Sequence, residues 1–259
     1  MHDRINKDPL YLKKFWVGLM DGEGSIQVNH WRKKCLQYRL VIKLRNCDEN
    51  VSMLKLISKD IGGYVKILNK EDFVIWVVNS KKSILKIIKI FNKYPPLTTR
   101  LNSQLCFMLE CFKREDIEWY FKTRNSKYTI FKPEDGFNLL IALDKTKHNK
   151  NLNYYSLESL PYFKEWLSGF IEAEGCFSIR KNNNHSFSIG QKNDKSLIDA
   201  IKYYFQIQSS TRNKNKNFWV IETYRKSTLF NLIKHFSTYP LLGDKLISFN
   251  KFKGLIKPL

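Results

Sequence analysis

Trp16-Val17-Gly18-Leu19-Met20-Asp21-Gly22-Glu23-Gly24 returns in the second half of the chain as Leu167-Ser168-Gly169-Phe170-Ile171-Glu172-Ala173-Glu174-Gly175. Each copy is an apolar run that ends in an acid, a small residue, a second acid and a glycine. Each leads into an alternating segment, Ser25-Ile26-Gln27-Val28-Asn29 or Cys176-Phe177-Ser178-Ile179-Arg180. An apolar run followed by period-two alternation predicts helix then strand. Two such half-domains, each bringing one carboxylate to a shared seam, predict a pseudo-symmetric, metal-dependent site.

The parallel continues outward from the motifs. Strand-like pairs 25–29 with 38–45 and 176–181 with 186–192 come first, the second joined by the turn residues Asn182-Asn183-Asn184-His185. Helix-like stretches follow at 48–60 and 194–205, then strand pairs 64–69 with 73–79 and 208–213 with 217–223. A short amphipathic helix, 81–92 or 226–237, runs into Tyr94-Pro95-Pro96-Leu97 or Tyr239-Pro240-Leu241-Leu242, where proline stops it. Both halves therefore read αββαββα, and an internal repeat is a stronger signal than either motif alone. The expected division is 1–121 and 161–259 for the repeats. Residues 122–160 are read as an accessory helix, Phe137 to Lys147, and a returning linker.

Charge narrows the partner. The chain has 259 residues, 43% hydrophobic, and a net charge of +21, with a pI near 9.7. That field calls for a polyanion, most simply nucleic acid. No apolar run is long enough to span a bilayer, so a membrane partner is not expected. Arg32, Lys33, Lys34, Arg39, Lys43 and Arg45 fall between residues 25 and 45 without one acid, and Arg180, Lys181 and Lys192 between 176 and 193 likewise. Positive surface thus follows each motif. The five cysteines are scattered and form no CxxC pair, which indicates neither a disulfide framework nor zinc and fits a reducing compartment. The N-terminal segment lacks an apolar signal core. The only alanines are Ala142, Ala173 and Ala200, amid abundant Lys, Asn, Ile, Phe and Tyr. That bias suits an AT-rich organelle genome; a mitochondrial one is expected, with a chloroplast one as the alternative.

Gly18 and Gly22 lie four apart on one helix face, as do Gly169 and Ala173. Small residues at that spacing let helix backbones approach closely. Gly24 and Gly175 suit a left-handed helix end. Glu23 and Glu174 then meet at the negative ends of two helix dipoles, where a hard divalent cation would relieve their repulsion. This is an arrangement for in-line phosphodiester hydrolysis. Asp21 and Glu172, about 200° round the helix from those acids, suit structural capping of neighbouring elements instead.

The two motifs, their order of flanking elements and the Tyr-Pro segments resemble the monomeric LAGLIDADG homing endonucleases over nearly the whole chain. The resemblance implies a site-specific, Mg2+-dependent DNA endonuclease that cuts long double-stranded sites, is encoded within an intron and acts as a monomer in the organelle matrix. Mn2+ or Ca2+ could take the place of Mg2+ for binding. It implies that Glu23 and Glu174 are the metal-binding catalytic acids and that the carbonyls of Gly22 and Ala173 also reach metal. It implies that Arg100 and Lys245, after the Tyr-Pro elements, line a basic water pocket. Gln191 resembles a glutamine that orders water; its equivalent in the first repeat is Leu44, so the halves are unequal there.

Strand alternation then sorts the DNA-facing side chains. Ile26, Val28, Leu40, Ile42, Leu44, Phe177 and Ile179 should face the helices. Ser25, Gln27, Asn29, Trp31, Arg39, Val41, Lys43, Ser178, Arg180, Asn182, Ser186 and Ser188 should face a ligand lying along a β-saddle, with the motif helices packed at its centre. Arg32, Lys33, Lys34, Lys66, Lys192, Arg212, Lys214 and Lys216 join them as DNA-binding positions, those near strand ends reaching phosphate. His30, His148, His185 and His235 have no metal-ligand spacing and are assigned no chemistry. The fold expected is α+β. The rival functions are an intron RNA splicing maturase and a DNA-binding protein that does not cut.

Overall fold

The computed structural model describes residues 9–68, 72–133, 157–181 and 184–256. The first half contains α1 (Pro9–Gly22), β1 (Gly24–Trp31), β2 (Cys35–Arg45), α2 (Asp48–Ile61), β3 (Tyr64–Ile67), β4 (Phe73–Val78), α3 (Lys81–Lys93) and α4 (Thr99–Arg114). Short helices α5 (Ile117–Thr123) and α6 (Lys127–Ile130) follow. After a 3₁₀ turn at Leu157–Ser159 the order repeats as α7 (Phe163–Glu174), β5 (Cys176–Ser178), β6 (Ser186–Lys192), α8 (Lys195–Tyr204), β7 (Arg212–Asn215), β8 (Phe218–Thr223), α9 (Lys226–Thr238) and α10 (Asp244–Leu255). Among the described residues, both halves carry a matching helix, α4 or α10, beyond the αββαββα order, and the first adds α5 and α6. The accessory helix expected over 137–147 lies outside the described residues, as does Asn182.

Two compact units result. One comprises Met1–Lys13 and Glu23–His148, the other Lys14–Gly22 and Asn149–Leu259, so most of α1 belongs with the second half. The first contains an antiparallel sheet of order β1-β2-β4-β3, the second one of order β5-β6-β8-β7.

In the first unit Leu40, Ile42, Val74, Trp76 and Val78 form a buried sheet face. It lies against α2 and α3, which bury Met53, Leu54 and Ile57, and Ile84, Ile87, Ile88 and Phe91. That second set repeats at three- and four-residue spacing, the stripe of an amphipathic helix. In the second unit Phe187, Ile189 and Ile221 take the sheet's place, with Leu197, Ile198 and Ile201 of α8 also buried. Phe177, Phe236, Phe249 and Phe252 cluster there, with the Phe177 ring 5.3 to 5.9 Å from the other three centroids.

Two local expectations fail. β5 ends at Ser178, and Ile179 is 47% exposed instead of facing the helices. Pairing with β6 stops at Ser178–Ser186. Beyond it the Arg180 N–H donates to His185 Nδ1 at 3.2 Å, leaving no ladder to impose alternation. Neither Gly24 nor Gly175 is left-handed: Gly24 begins β1, and Gly175 is extended at φ −71°, ψ 148°. At Gly175 the need is room, since a Cβ would come within 2.8 Å of the Ile171 carbonyl oxygen.

Candidate metal centre and nucleic-acid interface

The two motif helices meet backbone to backbone within the second unit. A Cβ on Gly18 would overlap the Trp166 carbonyl, and one on Gly169 would overlap that of Phe15. The motif alignment equates Phe15 with Trp166 and Gly18 with Gly169, so the contact is reciprocal, as two-fold symmetry requires. One turn on, a Cβ on Gly22 would overlap that of Ala173 and lie 3.6 Å from Glu174 Oε1. The C-termini of α1 and α7 therefore converge, with the half-buried Glu174 beside Gly22. Helix C-termini carry backbone carbonyl oxygens and the negative end of the dipole. Together with a carboxylate this is an all-oxygen, electronegative donor set, which suits a hard divalent cation. Glu23, the next residue after Gly22, is exposed.

The earlier acid of each motif is structural. Asp21 is fully buried, and its Oδ2 accepts the Trp166 indole N–H at 2.7 Å. Glu172 is also buried and accepts the backbone N–H groups of Leu242 and Lys245 at 3.0 and 2.9 Å. It thereby caps α10, whose Ncap residue Gly243 has no side chain for the task. Burial pushes the Glu172 carboxyl up, and the N–H groups of Gly243, Lys245 and Leu242 and the Lys245 charge oppose this in part. In α4 the same place is capped from within, Thr98 Oγ1 accepting from Leu101 N at 3.3 Å.

Arg100 donates to the Gly24 carbonyl at 2.6 Å, immediately after Glu23 in the chain. It has company: Gln104 Oε1 accepts from Ile26 N at 2.8 Å, and Tyr120 OH donates to Val28 O at 3.1 Å. These three side chains each take a backbone group of an alternate residue, Gly24, Ile26 and Val28, on the outer edge of β1, which helps to cover an edge strand. Arg100 thus fastens β1 next to the motif acid. Lys245 is half-buried near Glu172. Gln191 is 8% exposed and lies on the helix-facing side of β6, opposite Trp219; Leu44 holds the corresponding side of β2.

The outward sheet faces fall largely where alternation puts them. Gly24 and Ile26 are buried in β1, whereas Asn29 and Trp31 are exposed, Trp31 by 54%. Ser25 and Gln27 are half-buried, Gln27 Nε2 donating to Ser25 Oγ at 3.3 Å. In β2, Arg39 and Val41 are half-buried and Lys43 is exposed, its ammonium 4.1 Å from the centroid of Phe73. Lys66 and Lys34 are exposed. Arg32 and Lys33 form the β1–β2 turn with φ of 48° and 58°. It is closed by Lys34 N to Trp31 O at 2.8 Å. Left-handed pairs at hairpin tips normally fall to Asn-Gly, so two cations there are held at a cost. Lys216 and Asn217 do the same between β7 and β8, with φ of 41° and 67°.

In the second sheet Ser178 and Ser188 are half-buried; Arg180, Lys192, Arg212 and Lys214 are exposed. Ser186 departs from expectation. It is fully buried, and its hydroxyl donates to Glu222 Oε1 at 3.2 Å, so it cannot itself reach a ligand. Glu222 is the residue that sequence reading passed over. Among the described residues it is the only acid in a strand, and pairing opposite Ser188 puts it on the outward face. Its alternation with the buried Ile221 and Thr223 was a signal that could have found it.

Comparison with known proteins places the chain in a family. The sequence model described as LAGLIDADG endonuclease matches residues 16–111 and 167–256. A protein of Dictyostelium citrinum named probable intron-encoded endonuclease aI3 is 46% identical over 247 residues, covering 94% of each chain. A protein of that name in Debaryomyces hansenii is also 46% identical, over 263 residues, 93% of this chain but 38% of the relative. Among solved structures, that of the I-LtrWI LAGLIDADG homing endonuclease bound to target DNA shares the fold. It has a TM-score of 0.68 and 22% identity over 96% of this chain and 90% of that one. With both repeats matched and both motif helices meeting at their glycines, the chain belongs to the LAGLIDADG endonuclease family.

Proposed function

We propose that the protein is a site-specific double-strand DNA endonuclease, intron-encoded, monomeric and mitochondrial, using Mg2+. The observation that carries this reading is the convergence of the α1 and α7 C-termini, which brings Gly22 against Ala173 and Glu174. Glu23 and Glu174 would hold the cation, with the carbonyls of Gly22 and Ala173 as further oxygen donors. A bound divalent cation supplies charge neutralisation at the scissile phosphate and lowers the pKa of attacking water. Gln191 orients that water by hydrogen bonding. Lys245 and Arg100 offset charge that builds on the phosphate; Arg100 also holds β1 in place. Ser25, Gln27, Asn29, Trp31, Val41, Lys43, Ser178, Ser188 and Arg180 approach bases. Arg32, Lys33, Lys34, Lys66, Lys192, Lys214 and Lys216 bind phosphate. Relatives named as intron-encoded endonucleases, and a yeast relative named as a mitochondrial protein that is 31% identical over 213 residues, support the genetic setting.

Selection of cleaved sites from a randomised duplex library with Mg2+ tests the proposal, run beside Glu23→Gln and Glu174→Gln. The expected result is one long site, cut by the parent and only bound by the variants. Cleavage surviving in either variant removes that acid from the metal centre. A second reading, binding of host intron RNA, is favoured by Lys81, Lys82, Lys86 and Lys89. They are exposed along α3 around Leu85. Intron RNA binding that persists in Glu23→Gln and falls when Lys82, Lys86 and Lys89 become Gln would establish it.

A further inference from the structure

Glu222 is out of place on a surface that meets a polyanion. Its carboxylate gathers four donors. Oε1 accepts from Tyr224 OH at 2.7 Å, Ser186 Oγ at 3.2 Å and Arg180 Nη2 at 3.3 Å; Oε2 accepts from Arg212 Nη2 at 3.0 Å. A carboxylate has about four lone-pair sites, so little capacity is left for a base to donate to. The two guanidiniums are in the opposite condition. Each spends one N–H on Glu222 and keeps the rest of its five-donor fork, and the Arg180 and Arg212 side chains remain 44% and 55% exposed. Arg180 also lies 5.0 Å from the Tyr224 ring centroid, a second restraint on its plane.

Among the described residues, the first sheet has no strand acid at the matching place. The Ser188–Glu222 pair of β6 and β8 corresponds to Val41–Val77 in β2 and β4, and Val77 is 1% exposed. One sheet buries a valine where the other carries an acid that fixes two arginines.

We infer that Glu222 is a specificity-determining positioning residue that holds Arg180 and Arg212 in fixed orientations to read guanine in the major groove under the second sheet. This rests on the DNA reading above. Arg pairs bidentately with guanine O6 and N7, and a guanidinium oriented in advance loses less rotamer freedom on binding. Released from Glu222, both arginines would drift to phosphate, where they add affinity but read no sequence.

The test is Glu222→Gln, which keeps shape and removes charge. Binding is measured in Ca2+ against the selected site and against each single base-pair substitution of it, from low to moderate salt. Discrimination at guanines of the second half-site should fall about tenfold within the roughly five- to hundred-fold range of one bidentate pair. Affinity for unrelated duplex should hold or rise, with a steeper salt dependence, because one repelling charge has gone. A role confined to folding would instead lower all binding together. Arg180→Lys and Arg212→Lys should lose preference at the same positions, and Tyr224→Phe, which removes a single donor, should do so in part. Unaltered base preference in Glu222→Gln with a parent that selects a site overturns the inference alone. A parent with no site preference overturns the DNA reading and this inference together.

Discussion

His235 shows what individual residues contribute here. Ser168 Oγ donates to the Tyr239 carbonyl at 2.6 Å, so its lone pair receives His235 Nε2–H at 3.0 Å. That leaves Nδ1 to accept from Tyr204 OH, also at 3.0 Å. The neutral ring is fully partnered and ties motif helix α7 to α9 and α8. Burial, with the Lys164 charge beside it, holds its pKa down at about 3 against an ordinary 6.5. The unfolded chain therefore takes up a proton that the folded one refuses. Stability is complete above about pH 6.5 and declines as pH falls toward 3, by up to about 1.4 kcal/mol per pH unit. Urea melts across that window should show the slope, and His235→Phe should flatten it. Gly18 and Gly169 make a harsher prediction. Replacing either by Ala forces a methyl into a backbone carbonyl, and should cost roughly 2–3 kcal/mol, measured by thermal melting, with cleavage falling as the helix ends separate.

Among the elements, the hairpins trade stability for the placement of charge. Arg32 and Lys33 are both left-handed, a conformation that costs a non-glycine residue roughly 1 kcal/mol or more. Substituting Asn-Gly for this pair should stabilise the first unit by about 1–2 kcal/mol. The same change should weaken DNA binding and reduce the slope of log K against log salt by up to about 2. Melting and salt titration together check it; a stabilised hairpin with unchanged salt dependence would show that neither cation touches phosphate. Strand faces in β1 and β2 were legible because strict alternation leaves one solution. The end of β5 was not, because a His185 side chain, not a ladder partner, takes the Arg180 N–H. α4 and α10 escaped the repeat pattern although Thr98 signals an N-cap, since α10 begins at a cap supplied by Glu172, far away in sequence.

For the molecule as a whole, the charge of +21 sets the conditions under which any specificity is visible. With six to ten phosphates contacted, affinity should drop by roughly 10³ to 10⁵ between 50 and 200 mM salt. Competition between selected and random duplex should therefore sharpen as salt rises. Discrimination that stays flat across that range would indicate that backbone contacts carry nearly all of the binding.

What the chain determines by itself is periodic or repeated: two motifs, the order of strands and helices after each, glycines at helix-contact spacing, and acid-free basic strands. Such features are local, and sterics and hydrophobic alternation read them residue by residue. Tertiary structure alone decided how the acids divide. Asp21 and Glu172 are spent on an indole and a helix N-terminus, because only folding brings Trp166 and the start of α10 to them. Folding likewise gave Ser186 to Glu222 and gave Glu222 two arginines from other segments. Hydrogen-bond partners distant in sequence leave no period behind, so their assignment waits on the fold.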